Sequence, residues 1–151
     1  MKTGGLADVT GSLPKYFDKK NYDVRVILPK YVCMEERWKG QLHFLCHFYV
    51  NLSWRKQYVG IFETTYDGIT YYLVDNEFYF AGNAPYNNIY EDVEKFAFFS
   101  KAVLEALPYL DFCPDIIHCH DWQTGLLPVF LRTLYGDEEY YTGIKTVFFH
   151  P

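Results

Sequence analysis

Lys2-Thr3-Gly4-Gly5 sets a basic side chain and two glycines directly ahead of a helical pattern that begins near Leu6. A Lys point charge, glycines that let the backbone approach closely, and the amides of a helix start suit a diphosphate, above all when negative charge grows on a leaving oxygen. Asp8 lies one turn further on, where it either faces such a ligand or compensates the helix dipole. The second stretch is His118-Cys119-His120-Asp121-Trp122, which closes a strand pattern and opens a helical one. Ligands of open α/β sheets bind at the carboxyl ends of strands, so these side chains face a cleft. Alternation puts His118 and His120 on one side and turns Cys119 away, which weighs against a His-Cys-His metal site. Asp121 fits a site or the N-cap of the next helix equally well. Tyr86, beside Pro85, is placed to stack on a sugar face or to pack as an ordinary aromatic. His43, Cys46 and His47 have the look of ligands but read better as strand residues.

The elements that must hold these groups follow from periodicity. Leu6, Val9, Leu13 and Phe17 recur at helical spacing, interrupted by Pro14, which predicts a kink. Asp23–Leu28 reads as a strand stopped at Pro29, and Tyr31–Gly40 has no clean period. Phe44–Leu52, Gln57–Tyr66 and Ile69–Val74 read as three strands. Ser53–Lys56 is their first turn and Asp67-Gly68, a strong hairpin signal, their second. Asp75–Tyr90 reads as a long loop. A helix runs from Val93 to Pro108 with Glu91, Asp92 and Glu94 about its first turn, followed by a buried strand over Pro114–Cys119. Trp122–Leu134 gives another helix, stopped by Gly136, and Lys145–Phe149 a last buried strand. Strands alternating with helices around an inserted hairpin indicate an α/β sheet.

Composition narrows the function. The length suits one domain. A net charge of −5, with no basic stripe, argues against a general nucleic-acid binder. The 21% aromatic content predicts a ring-rich core. The absence of a long apolar run or a signal-like start points to a cytoplasmic chain without a membrane partner. Cys33, Cys46, Cys113 and Cys119 form no C-x-x-C pair and read as reduced thiols in the core.

Lys2–Val9, Gly11–Lys15, Asp23–Pro29, Tyr71–Asn76, Glu94–Ser100, Pro114–Leu126 and Lys145–Phe148 together, in this order, resemble the bacterial glycogen synthase / starch synthase family. The resemblance implies a Rossmann-like N-terminal half of a two-domain GT-B glycosyltransferase, α/β with a mostly parallel sheet and an inserted β-hairpin. It also implies that the chain is the acceptor-side domain, truncated at both ends, without the family's first strand and without its C-terminal nucleotide-binding domain. The implied reaction moves glucose from ADP-glucose to the non-reducing end of an α-1,4-glucan with retention, without a cofactor or catalytic metal, and the isolated fragment is expected to be inactive. Lys2, Gly4 and Gly5 would hold the diphosphate, while Asp8, Tyr86 and Asp121 would line the glucose and acceptor cleft. His150 stands near the family's T-I-H-N histidine, one residue displaced and without the asparagine. A proline at position 14 belongs to the family pattern. The alternatives are a non-catalytic glucan-binding module, suggested by the Tyr-rich stretch Tyr66–Tyr90, and a sucrose-type synthase. Open sheet edges would favour self-association.

Overall fold

The computed structural model describes residues 13–31, 41–80, 88–120 and 122–149. Among them the chain forms two compact units. One holds the described residues up to Tyr49 together with those from Gln57 to Phe80, and the other holds Val50–Lys56 and the described residues from Asn88 onward.

The first unit is built on a mixed sheet. Strands β1 (Arg25–Pro29), β2 (His43–Leu52), β3 (Arg55–Tyr66) and β4 (Ile69–Asp75) lie in the order β1-β4-β3-β2. β1 runs parallel to β4, from Arg25 opposite Thr70 to Pro29 opposite Val74. β3 and β4 are antiparallel, closing with Tyr66 opposite Ile69. The two residues between them, Asp67 (φ 54°) and Gly68 (φ 77°), both have positive φ, the geometry that Asp-Gly favours and that matches strand twist. The predicted hairpin is therefore present. The expected mostly parallel sheet is not: β4 has a parallel neighbour on one side and the hairpin on the other, because a two-residue turn can join only antiparallel strands. The β2–β3 turn is Ser53-Trp54 alone, with Ser53 at φ 59°, and Arg55 and Lys56 continue the strand.

Inside the expected loop after β4, Glu77–Phe80 forms one helical turn, α1. The buried Asn76 side chain makes it, accepting from the Tyr79 amide at 3.1 Å and donating to the Tyr58 carbonyl at 2.8 Å. Near the start of the described chain, Pro14 sits in a single 3-10 turn, Leu13–Tyr16. Positions 1–12 and 32–40, with the helical pattern read from Leu6, lie outside the described residues.

The second unit is organised by α2 (Ile89–Tyr109). Asn88 caps it, its side-chain oxygen accepting from the amides of Tyr90 and Glu91 at 3.1 Å each. Phe98, Ala102, Leu104 and Ala106 are buried completely, with Phe96, Phe99, Val103 and Leu107 nearly so. Asp92 and Lys95, both buried one turn apart, pair at 3.8 Å, so neither charge is buried alone. The hairpin end that belongs to this unit is fastened to the helix by Arg55 on Glu94 (2.5 Å) and by the Lys101 ammonium on the Asn51 carbonyl.

Sequence reading ends this helix at Pro108, but it runs one residue further and closes in a Schellman motif. The Phe112 amide bonds the Leu107 carbonyl and the Asp111 amide that of Pro108, with Asp111 at φ 50°. Pro108 cannot donate to Leu104, four residues back. The Tyr141 hydroxyl does so instead, at 2.8 Å in a buried setting.

Beyond α2, β5 (Ile116–His120) pairs in parallel with β6 (Lys145–Phe149), linked through a 3-10 turn (Trp122–Thr124), α3 (Leu126–Thr133) and a second 3-10 turn (Glu139–Tyr141). The single helix expected over Trp122–Leu134 is thus broken in two. Of its apolar positions, Leu127 and Leu131 are buried and Leu134 is exposed. The strands expected to be buried are largely open: in β5 only Cys119 is fully covered, and Val147, Phe148 and Phe149 of β6 are each more than two-fifths exposed. The thiols likewise divide, Cys119 buried, Cys46 half-buried and Cys113 exposed, with Cys33 outside the described residues. Among the described residues no helix is long and apolar enough to cross a membrane.

Candidate functional site

The carboxyl end of β5 is where the described chain approaches the predicted site. Register sets His118 opposite Val147 and His120 opposite Phe149. Strand alternation brings the two imidazoles onto one face, their ring centroids 4.3 Å apart, and sends Cys119 into the core. Phe149 stands nearly perpendicular to both, 6.4 Å from His118 and 6.2 Å from His120. Burial of the Cys119 thiol pushes its pKa up to about 11, so it stays protonated. The expectation drawn from alternation holds here.

His120 is half-buried. Desolvation first, and the neighbouring His118 second, hold its pKa below the ordinary imidazole range. Its Nδ1 is buried and has no hydrogen-bond partner. The strand end is braced from below by the Thr124 hydroxyl, which donates to the His120 carbonyl at 3.0 Å across the 3-10 turn. This end is therefore two adjacent imidazoles beside an aromatic wall, able to exchange hydrogen bonds with a polar ligand, with the His120 ring held toward its uncharged form. The N-cap position of α3 belongs to Gly125, which makes no side-chain cap.

In the first unit, β1 and β4 also end side by side. Lys30 and Asp75 pair there at 3.8 Å, and the Lys30 amide donates to the Val74 carbonyl at 2.8 Å. Burial raises the Asp75 carboxyl above the usual range, offset in part by Lys30. Asp75 was read only as part of a motif; its place at the carboxyl end of a strand parallel to β1 became visible once β4 was seen to pair with β1 rather than with β3 alone.

Lys2, Gly4, Gly5, Asp8, Tyr86, Asp121 and His150 all lie outside the described residues. His120 and Thr124 flank Asp121 and were not singled out for catalysis; the signal was the strand-to-turn switch that follows His120. His43, Cys46 and His47 form no metal cluster among the described residues. His47 instead packs in an aromatic group with Phe44, Tyr49 and Tyr58.

A family model described as the starch synthase catalytic domain matches residues 1–150. A glycogen synthase of Lachnoclostridium phytofermentans is 65% identical over 147 residues, which is 97% of this chain and 31% of that protein. The glycogen synthase of Lachnospira eligens is 60% identical over the same span. Among solved structures, the catalytic domain of starch synthase IV from Arabidopsis thaliana, bound to ADP and acarbose, matches with a TM-score of 0.79 and 28% identity, covering 97% of this chain and 30% of that one. The chain thus spans about 31% of the length of the curated relatives it matches.

Proposed function

Because this chain belongs to the starch synthase catalytic domain family, we propose that it supplies the acceptor-side, N-terminal half of a GT-B glucosyltransferase of glycogen or starch synthesis. The reaction is transfer of glucose from ADP-glucose to the 4-hydroxyl at the non-reducing end of an α-1,4-glucan, with retention. The single observation that carries this reading is the match over residues 1–150, which spans every motif quoted above.

The chemistry is that of a leaving group. Departure of the diphosphate from an anomeric carbon that becomes oxocarbenium-like builds negative charge on the phosphate oxygens, and preorganised positive charge there lowers the barrier. Lys2 and the amides of Gly4 and Gly5 are assigned to that charge. Asp8, Tyr86, Asp121 and His150 are assigned to the glucose and acceptor side. His120, next to Asp121 in sequence and held toward its uncharged form, can orient sugar hydroxyls without competing for the phosphate. No step in this scheme requires a metal or an organic cofactor, and the setting proposed is the cytoplasm. Adenine and ribose are assigned to the C-terminal domain, so this chain alone is expected not to turn over.

The test is a chimera in which this chain replaces the matching 147 residues of the Lachnoclostridium glycogen synthase. Radiolabel from ADP-glucose should pass to glycogen, with chelator present, and Lys2→Ala should lower kcat by about 10²-fold or more, the loss typical of one charge-stabilising donor. A chimera that folds but transfers nothing would overturn the function, and an unchanged kcat in Lys2→Ala would overturn the role of Lys2.

A further inference from the structure

A cavity of about 410 Å³ opens between α3 and the start of β6, within the second unit. Lys145 on its rim is four residues from Phe149 at the other end of the strand, about 13 Å at the usual rise. The reaction above does not use this cavity. Its walls are held by the chain itself: the Ile144 amide donates to the Tyr141 carbonyl at 3.1 Å, the Lys145 amide to the Asp115 carbonyl at 3.0 Å, and the Thr142 hydroxyl to the Glu139 carbonyl at 3.0 Å. A Cβ at Gly136 would lie 2.3 Å from the Arg132 carbonyl oxygen, so no side chain fits there and none narrows the space. Buried Leu131 and Ile144 form an apolar floor.

Two exposed cations, Arg132 and Lys145, line this cavity, and among the described residues neither has an ion-pair partner. Arg132 suits the dipole at the end of α3 whatever else it does, but Lys145 opens a strand and has no such role. No acidic residue is among those that line the cavity. The carboxylates nearest in the fold or the sequence are Asp115, Asp137, Glu138 and Glu139. Glu138 acts on Tyr135 and on the Tyr141 hydroxyl, which is turned to the Leu104 carbonyl; neither Tyr135 nor Leu104 lines the cavity. Two unpaired positive charges on a chain of net charge −5 thus stand over one concave, polar-rimmed space.

We propose that this cavity binds a small phosphate monoester with a hydroxylated body, at a site separate from the transfer site. A phosphate monoester carries nearly two negative charges at neutral pH, which matches one guanidinium and one ammonium. The Arg fork takes two phosphate oxygens side by side and the Lys point charge takes a third. The volume is that of a site for a small organic molecule, larger than a bare phosphate fills. The Thr146 hydroxyl and the lone pairs of Thr142 are placed to meet hydroxyls on the ligand body, and Leu131 and Ile144 to meet its carbon skeleton. This site stands on the cavity and its charges, and is independent of the function proposed above.

The experiment is isothermal titration of the 151-residue chain with ribose 5-phosphate, ribose, inorganic phosphate and sulfate, with near-UV circular dichroism to check the fold of each variant. Ribose 5-phosphate should bind, inorganic phosphate more weakly, and ribose not at all. Arg132→Gln and Lys145→Gln should each raise the Kd for ribose 5-phosphate about tenfold or more, the loss expected for a hydrogen bond between charged groups. Lys20→Gln, the same loss of charge at an exposed position of the other unit, should leave it unchanged. Thr142→Trp, which fills the cavity and keeps both cations, should abolish binding of the monoester. Failure of folded wild-type chain to bind ribose 5-phosphate, or an unchanged Kd in Arg132→Gln and Lys145→Gln, would overturn the site. Sulfate or inorganic phosphate binding as tightly as the monoester would reduce it to simple anion attraction and overturn the ligand class. Binding lost in Lys2→Ala would assign the phosphate to the N-terminal loop and overturn the cavity, whereas glucose transfer by the chimera bears on the proposed function alone.

Discussion

Tyr141→Phe removes one oxygen and leaves the ring, with its contacts to Tyr135 and Tyr140, in place. The oxygen matters because of Pro108. In α2 the Leu104 carbonyl would accept from residue 108, and proline has no amide hydrogen to give. Leu104 is fully buried, so water is a poor substitute, and the Tyr141 hydroxyl fills the gap at 2.8 Å. Burial, joined by the nearby Glu138 and Glu105, raises the Tyr141 pKa, so the hydroxyl remains a donor across the whole working pH range. Losing it strands a buried acceptor, which costs about 1–3 kcal/mol, more than an average hydrogen bond. For a chain of this length that is a fall in Tm of roughly 2–4 °C per kcal/mol. The decisive measurement is a double-mutant cycle by thermal or urea unfolding. Pro108→Ala restores an amide to Leu104, so in that background Tyr141→Phe should cost less than half as much, a coupling of about 0.5–3 kcal/mol. Equal cost in both backgrounds would show that the hydroxyl does not compensate for the proline.

Other local features make equally direct predictions. Asn88→Ala should lower stability by about 0.5–2 kcal/mol through loss of the α2 cap, read as a lower urea midpoint with unchanged slope. Asp111→Gly should raise stability by about 1 kcal/mol, because a Cβ at φ 50° is disfavoured by that order; a loss of stability instead would show that the Asp side chain itself holds the turn. Gly68→Ala, at φ 77°, should cost a similar amount and loosen the β3–β4 hairpin, seen as faster amide exchange at its closing pair. Burial raises the Glu105 carboxyl despite the opposing effects of Tyr135 and Lys101. Its folded state therefore holds the proton more tightly, and the stability it contributes is complete below the ordinary glutamate range and lost as pH rises through its raised pKa. Glu105→Gln should remove that decline, leaving Tm higher at neutral pH and flatter between acid and neutral, as a pH series of melts would report.

Legibility in the sequence followed the range of the interactions. Asp67-Gly68 and the long amphipathic α2 were plain, because turn chemistry and helical period act within a few residues. Strand burial was misread in β5 and β6, where apolar runs such as Val147-Phe148-Phe149 predict a buried strand while the chain itself supplies little to cover them. The parallel character of the sheet was overestimated because β4 borders β1 on one side and its own hairpin partner on the other, a long-range choice that no local pattern encodes. The break between Trp122–Thr124 and α3 was hidden as well: Gly125 and Pro128 sit in a sequence whose apolar spacing still looks helical, and Pro128 is tolerated because it falls in the first turn of α3.

For the site, alternation was a sufficient guide to which way the β5 side chains point, and an insufficient one to what they do there. His118 and His120 share a face, as a period of two requires, but the charge state of His120 depends on two things no period encodes: the burial of its ring by the fold and the proximity of the His118 ring at 4.3 Å. Each of these favours an uncharged imidazole. Under the proposed function, an uncharged His120 next to Asp121 in the chain would orient a hydroxyl acceptor without adding a cation on the acceptor side, leaving the stabilising positive charge to the diphosphate end, where Lys2 is assigned. Under the proposed function the two motifs that first stood out in the sequence would divide one reaction between them, charge at one and hydrogen-bond geometry at the other. This division predicts that a charge inserted at position 120 is more damaging than a neutral replacement: in the chimera, His120→Lys should reduce transfer well below His120→Gln, and the reverse order would refute it.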